Sequence, residues 1–295
     1  MLSVALAVPN FSQGRDAEAI AAISAAFAGA EPLDRHSDEV HNRTVLTLSA
    51  PSGALVAALV AGARACVERI DMRTHAGAHP CVGALDVCPL VWVTAAGRAN
   101  AREHALEAAA GIAELEVPVF LYGSVAADES RRERAHFRRG GLAALGERMR
   151  SGELVADLGP AEPHPTAGAT LVTARPPLAA FNVELDSGGA EVARAVAARL
   201  RESGGGPVGV RAVGIDLAGV AQVSTNVHDP ETVTLGAVIE RVRALAAEHG
   251  ARPVAAEVVG LVPAAALRDL PADVPLRGFD PRRHVIESRL APGAR

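Results

Sequence analysis

Lysine is absent from this chain of 295 residues, so arginine supplies all 29 of its basic side chains. Without a lysine amine, imine catalysis, pyridoxal phosphate attachment and a Walker-type phosphate loop are excluded. Cysteine is scarce, and Cys66, Cys81 and Cys88 are too few and too scattered for a disulfide framework. Aromatic residues make up only 3% of the chain, so the core must be assembled from Val, Leu, Ile and Ala. No run reaches the ~20 uninterrupted apolar residues that span a bilayer. The opening MLSVALAVPNF has neither the charged leader nor the long apolar stretch of a signal peptide. A cytoplasmic protein with no membrane partner is the expectation. Basic charge is not in excess either: the net charge of −5 argues against a nucleic-acid partner, whose phosphates would need neutralising.

Apolar residues at 49% and charged residues at 21% give the balance of a globular protein, and the length suits one large domain or two ordinary ones. Residues 2–8 read as a strand ending at Pro9, and residues 17–27 as an apolar-periodic helix. The alternating RTVLTL of residues 43–48 is a half-buried strand, followed by an alanine-rich helix over 52–70. Strand, helix and strand follow at 85–93, 101–115 and 117–122. The charge-dense DESRRERAHFRR from Asp128 has the character of an exposed helix or lid, and the Pro- and Gly-rich residues 159–168 mark a linker. Beyond it the order repeats, with strands at 178–185, 208–215, 220–225 and 253–259 and helices at 189–201 and 232–249. These observations predict an α/β (α+β) fold of two ferredoxin-like two-layer subdomains, residues 1–180 and 181–295 with a tail.

The densest polar cluster is IDMRTHAGAHPCVGALDV, residues 70–87. His75 and His79 lie four apart, a spacing that on a helix would suit zinc, but Gly77 and Pro80 make the segment a loop. A second cluster, DRHSDEVHNRT over residues 34–44, adds His36, Asp38 and His41. One reading is a metal site on His36, His41, His75 and His79, serving a zinc-dependent amide or amidine hydrolase. The other is proton transfer, since a positioned imidazole can take a proton from one nitrogen and return it to another. Asp38 or Asp86 would then orient the ring, with His41 and whichever histidine is not the carrier in support. Arg43 and Arg73 offer planar forks for substrate carboxylates.

Nine motifs in order carry a resemblance. They are VPNFS (residues 8–12), HNRTV (41–45), IDMRTHAGAHP (70–80), GALDVCP (83–89), FLYG (120–123), GAT-x3-AR (168–175), AFNVEL (180–185), AQVSTN (221–226) and EVVGLVP (257–263). Together they resemble the glutamate formimidoyltransferases. That resemblance implies two α/β subdomains in a homodimer with a substrate tunnel, tetrahydrofolate as co-substrate and no metal. It implies formimino transfer from N-formimino-L-glutamate to tetrahydrofolate, as in histidine degradation and one-carbon metabolism. His79 is then the catalytic residue and His75 a supporting one. The folate-binding stretch falls on Gly168, Ala169, Thr170, Leu171, Val172, Thr173, Ala174, Arg175, Pro176 and Pro177, and Asn10 and Asn226 join Arg43 and Arg73 as substrate contacts. The chain stops where the cyclodeaminase domain of bifunctional members would begin, which is the pattern of the stand-alone transferase.

The chain departs from the family pattern at Ala78, Cys81 and Val82, where an acid and a base are lost beside His79, and at Pro176, Pro177, Ile215 and Asp216. The implied chemistry is attack of the folate amine on the formimino carbon while His79 removes the amine proton. His79 then returns that proton to the departing glutamate nitrogen. A non-catalytic folate-binding relative is the remaining alternative.

Overall fold

Pro9 has no N–H to give to a ladder, and it breaks the first apolar run into two short strands, β1 (Val4–Ala7) and β2 (Asn10–Phe11). In the computed structural model, which describes residues 4–78, 80–217 and 219–291, both pieces pair with the same two neighbours. These are β4 (Arg43–Pro51) and β5 (Leu85–Val91). α1 (Ala17–Ala26) and β3 (Glu31–Asp38) lead from β2 to β4, and α2 (Ser52–Arg69) follows β4. The Asp16 carboxylate accepts from the amides of Glu18 and Ala19, each at 3.0 Å, and starts α1. Leu55, Leu59 and Cys66 line the buried face of α2 at helical spacing. A Cβ at Gly62 would lie 2.3 Å from the Phe27 ring, so glycine lets α2 close over that side chain.

The first sheet then continues through α3 (Arg98–Ala113), β6 (Val119–Leu121), α4 (Arg134–Arg138), α5 (Gly141–Arg150) and β7 (Thr170–Arg175). Its order is β1-β4-β2-β5-β7-β6, with β3 on the outer side of β4; β7 is parallel to both β5 and β6, and the other pairs are antiparallel. Cys88, Val119 and Val172 feed the main core with Phe11, Phe27, Leu48 and Leu59. Val87, Phe120 and Leu171 instead join Phe137, Leu145 and Met149 in a smaller core. Around β5, β6 and β7 this unit therefore has a third layer, α4 with α5, beyond the two expected.

Residues 159–168 are not a linker. The His164 and Gly168 backbones exchange hydrogen bonds at 2.8 and 3.0 Å, and Gly168 bridges to Gly83, so the segment leads straight into β7. Two compact units result, Met1–Arg175 and Pro176–Arg295. The division falls after Arg175 rather than after residue 180, because β8 has already begun at Ala179.

The second unit runs β8 (Ala179–Leu185), α6 (Gly189–Leu200), β9 (Val210–Leu217), β10 (Val220–Val227), α7 (Leu235–Ala247) and β11 (Pro253–Val259). Its antiparallel sheet has the order β11-β8-β10-β9, the arrangement of a split βαβ pair. Phe181, Val183, Val223, Val196 and Ile239 form its core beneath α6 and α7. The tail packs onto the same unit: Arg277 donates its amide to the Ala256 carbonyl at 2.8 Å, and α8 (Pro281–His284) and α9 (Ile286–Leu290) follow. Among the described residues no helix is long and apolar enough to cross a membrane.

Candidate active site

The loop between α2 and β5 is fastened on every side. The Met72 amide donates to the Thr166 carbonyl at 2.7 Å and the Ala78 amide to the Val40 carbonyl at 3.0 Å. The Ala169 amide donates to the Val82 carbonyl at 2.9 Å, and the Ser12 hydroxyl donates to the Gly83 carbonyl at 2.7 Å. Two glycines permit the close approach: a Cβ at Gly83 would sit 1.8 Å from the Ala169 carbonyl oxygen, and one at Gly168 would sit 2.3 Å from that of Val82. A polar loop with so many long-range backbone bonds is a built feature rather than a solvated connection. His79 belongs to this loop but lies outside the described residues; its neighbours Ala78 and Pro80 are within them.

Asn42 and His75 meet here. Asn42 is nearly buried with a left-handed backbone (φ 49°), and its side-chain nitrogen lies 3.3 Å from His75 Nδ1 and 3.2 Å from the Ala76 carbonyl. Its Oδ1 accepts from the Gly14 amide at 2.9 Å. An amide donor on Nδ1 leaves the proton on the other ring nitrogen of His75. Burial, aided by the Arg15 charge, pushes His75 below the ordinary histidine range, against a hydrogen bond with the Ser12 backbone and the pull of Asp86.

Asp86 is the buried anion of the site, 1% exposed on β5. One oxygen accepts from the Val82 amide at 2.8 Å, and the other is paired with the Arg138 guanidinium. Arg138 and Arg43 act on Asp86 directly, and Arg134 and Arg175 join them through Arg43 and Tyr122. Burial lowers Arg43, and the neighbouring Arg134 and Arg138 lower it further, while Asp86 and Asp38 oppose them. Arg175, at the end of β7, is pushed down to about 10 by burial and by Arg134, with Tyr122 opposing. The phenol of Tyr122 is raised by burial against the pull of Arg134, Arg175 and Arg138. Cys81 borders the cluster, its thiol raised by burial and by Asp86 despite Ser12 and Arg138. Guanidiniums keep their charge under such shifts, so positive charge is in surplus here.

The structure therefore brings His75, Asp86, Arg43 and Arg175 to one place, with Asn42, Tyr122, Arg134 and Arg138, which the sequence reading did not single out. Arg134 and Arg138 were hidden inside a charge-rich run. The legible signal was their i, i+4 spacing around the one aromatic apolar residue of the run, Phe137. That run is no loose lid: Phe137 is fully buried, 5.2 Å from the Phe120 ring, and Arg131 pairs with Asp157 at 2.7 Å.

Other candidates sit differently. Asp38 and His41 pair with each other at 2.9 Å in the turn after β3, where burial of the carboxyl is outweighed by hydrogen bonds from the His41 amide and ring. His36 is exposed on β3. Arg73 is exposed and held by Asp71 through bonds of 2.6 to 3.1 Å, which satisfies its fork locally. The Asn10 side chain is buried and donates to the Val8 carbonyl at 2.8 Å. Ala169, Thr170, Leu171, Val172, Thr173 and Ala174 are buried in the sheet, which leaves Arg175 and Pro176 as the half-buried residues of the stretch from Gly168 to Pro177. Asn226 is exposed on β10 in the second unit. Among the described residues, no three His, Cys, Asp or Glu side chains converge as metal ligands.

Two family models cover nearly the whole chain. The formiminotransferase domain, N-terminal subdomain, matches residues 4–175, and the formiminotransferase domain matches residues 180–272. The chain belongs to the formiminotransferase family. It is 34% identical over 297 residues to a glutamate formimidoyltransferase of Streptococcus pyogenes serotype M1, covering 98% of this chain and 99% of that one. It is 33% identical to the glutamate formimidoyltransferase of Thermoplasma acidophilum, covering 99% of each. The formimidoyltransferase-cyclodeaminase of Rattus norvegicus is 39% identical over 90% of this chain, which spans 51% of that longer protein. The two family models divide the chain where its two structural units divide.

Proposed function

We propose that this formiminotransferase moves the formimino group of N-formimino-L-glutamate to tetrahydrofolate, giving 5-formiminotetrahydrofolate and L-glutamate. The observation that carries this reading is the gathering of partly buried guanidiniums beside Asp86 and Tyr122, set next to a loop fastened by long-range backbone bonds. Both substrates are carboxylates, and such a basin is suited to hold them. Relatives of full length bearing the name glutamate formimidoyltransferase support the same reading.

In this mechanism His79 takes the proton of the folate amine as it attacks the formimino carbon, then hands it to the glutamate nitrogen as that bond breaks. His75, held neutral by its surroundings, supports the loop beside it. Asp86 fixes the backbone at Val82, three residues after His79. Arg43 pairs with a substrate carboxylate, and Arg175 with its neighbouring backbone serves the folate. Holding two reactants in attack geometry supplies up to ~7–11 kcal/mol of the barrier reduction. The reading includes a cytoplasmic homodimer, to be checked by sedimentation of the purified protein. Mixing pure protein with tetrahydrofolate and N-formimino-L-glutamate while following the folate ultraviolet spectrum tests the function. No spectral change with this donor overturns it.

A further inference from the structure

We propose that α4 is a further carboxylate-recognition element of this site, with Arg138 and Arg134 gripping a carboxylate of a bound substrate. For the identity of the ligand this rests on the formimino-transfer reading; the anion site itself rests on the residues. The Arg138 side chain is 9% exposed. One edge of its guanidinium meets Asp86, yet its Nε is buried with no hydrogen-bond partner among the described residues. Native proteins rarely leave a buried charged donor in that state unless a further acceptor completes it. Asp86 is engaged by the Val82 amide through one oxygen and by Arg138 through the other, and among the described residues it makes no hydrogen bond with Arg134. Arg134 is close enough to Arg43, Arg175 and Tyr122 to act electrostatically on all three, and it lies one helical turn from Arg138. Arg43, Arg134, Arg138 and Arg175 thus gather beside Asp86, with Asp38 also acting on Arg43 and the Tyr122 phenol among them.

The helix is also rigid enough to be a recognition element. Phe137 anchors it in the small core, and Arg148 donates to the His136 carbonyl at 2.7 Å. Arg134 and Arg138, one turn apart, share a face. A planar guanidinium with one Nη committed to Asp86 and its Nε open suits a planar carboxylate far better than a point anion. The shared chemistry is thus a carboxylate, carried by the glutamate donor or by the glutamyl tail of folate.

Calorimetry on the full chain decides it, with L-glutamate, folinic acid and 5-formyltetrahydropteroate, which lacks the glutamyl tail, as probes. Arg134→Gln and Arg138→Lys should each weaken one carboxylate probe by roughly ten- to a hundredfold, the range for a charge-assisted pair. Loss confined to L-glutamate identifies the donor carboxylate. Loss for folinic acid with none for the pteroate identifies the folate tail. Should Arg138→Lys fail to fold, Arg134→Gln alone decides, because it breaks no pair with Asp86. Unchanged affinity for both carboxylate probes in a folded Arg134→Gln protein overturns the proposal, as does a wild-type protein that binds neither. Carboxylate binding without formimino transfer would instead overturn the function reading and leave the site standing.

Discussion

Replacing Asp86 with asparagine isolates the charge at the centre of the site. Asparagine has nearly the same shape and keeps an oxygen for the Val82 amide, which now lies 2.8 Å from Oδ1. What disappears is the anion facing Arg138, in a pair whose side chains are 2% and 9% exposed. Removing one partner of a buried pair leaves an uncompensated charge and costs about 3–5 kcal/mol. For a unit of this size each kcal/mol moves the melting temperature by roughly 2–4 °C, so Asp86→Asn should lower it by roughly 6–20 °C. Urea unfolding followed by circular dichroism, alone and with Arg138→Met, gives the cycle that separates pair from partners. The double variant should recover most of the loss, because the stranded charge is gone as well. High salt should change the single variant's deficit little, since the pair is shielded from solvent. A cost for Asp86→Asn below about 1 kcal/mol, or a double variant no more stable than the sum of the singles, would refute the reasoning.

His79→Ala should lower transfer by about 10² to 10⁴ while folinic acid still binds, since a positioned acid–base group contributes that much; full turnover in the variant would remove His79 from the mechanism. Turnover should persist after exhaustive dialysis against a chelator, because proton transfer needs no metal; loss that zinc restores would favour the hydrolase reading instead. His75 should titrate by nuclear magnetic resonance below the ordinary value of about 6.5. Its folded state then binds fewer protons than the unfolded chain, so its contribution to stability is full above that value and falls as pH drops towards the lowered midpoint. A wild-type stability profile with the same slope as His75→Gln there would contradict this. Gly83→Ala should cost at least ~1–3 kcal/mol, because a Cβ would lie 1.8 Å from the Ala169 carbonyl oxygen, and a melting curve matching wild type would show the loop is looser than described.

The parts of the fold legible in the chain were those whose signal is local. The alternation of RTVLTL reports a strand with one buried face, and β4 spans it. Leu55, Leu59 and Cys66 recur at helical spacing, and α2 buries them. By contrast β3 carries EPLDRHSD, with no alternation and mostly exposed side chains, and is a strand only because β4 supplies partners along its length. Residues 159–168 have the composition of a linker, yet their backbone groups are taken up within the first unit.

The same division runs through the site. Sequence alone determined the supply of groups: no lysine, a loop rich in histidine, carboxylates at Asp38 and Asp86, and arginines throughout. Which of those arginines matter was decided by tertiary structure. Arg73 lies beside the histidines in the chain but is occupied by Asp71 two residues away. Arg138 is 52 residues from Asp86 and is brought to it by Phe137 entering the small core under β6 and β7. Periodicity along a chain records which face is buried, because burial repeats with the local backbone geometry. It carries no record of which distant charge a buried carboxylate will meet; only packing of the layers settles that.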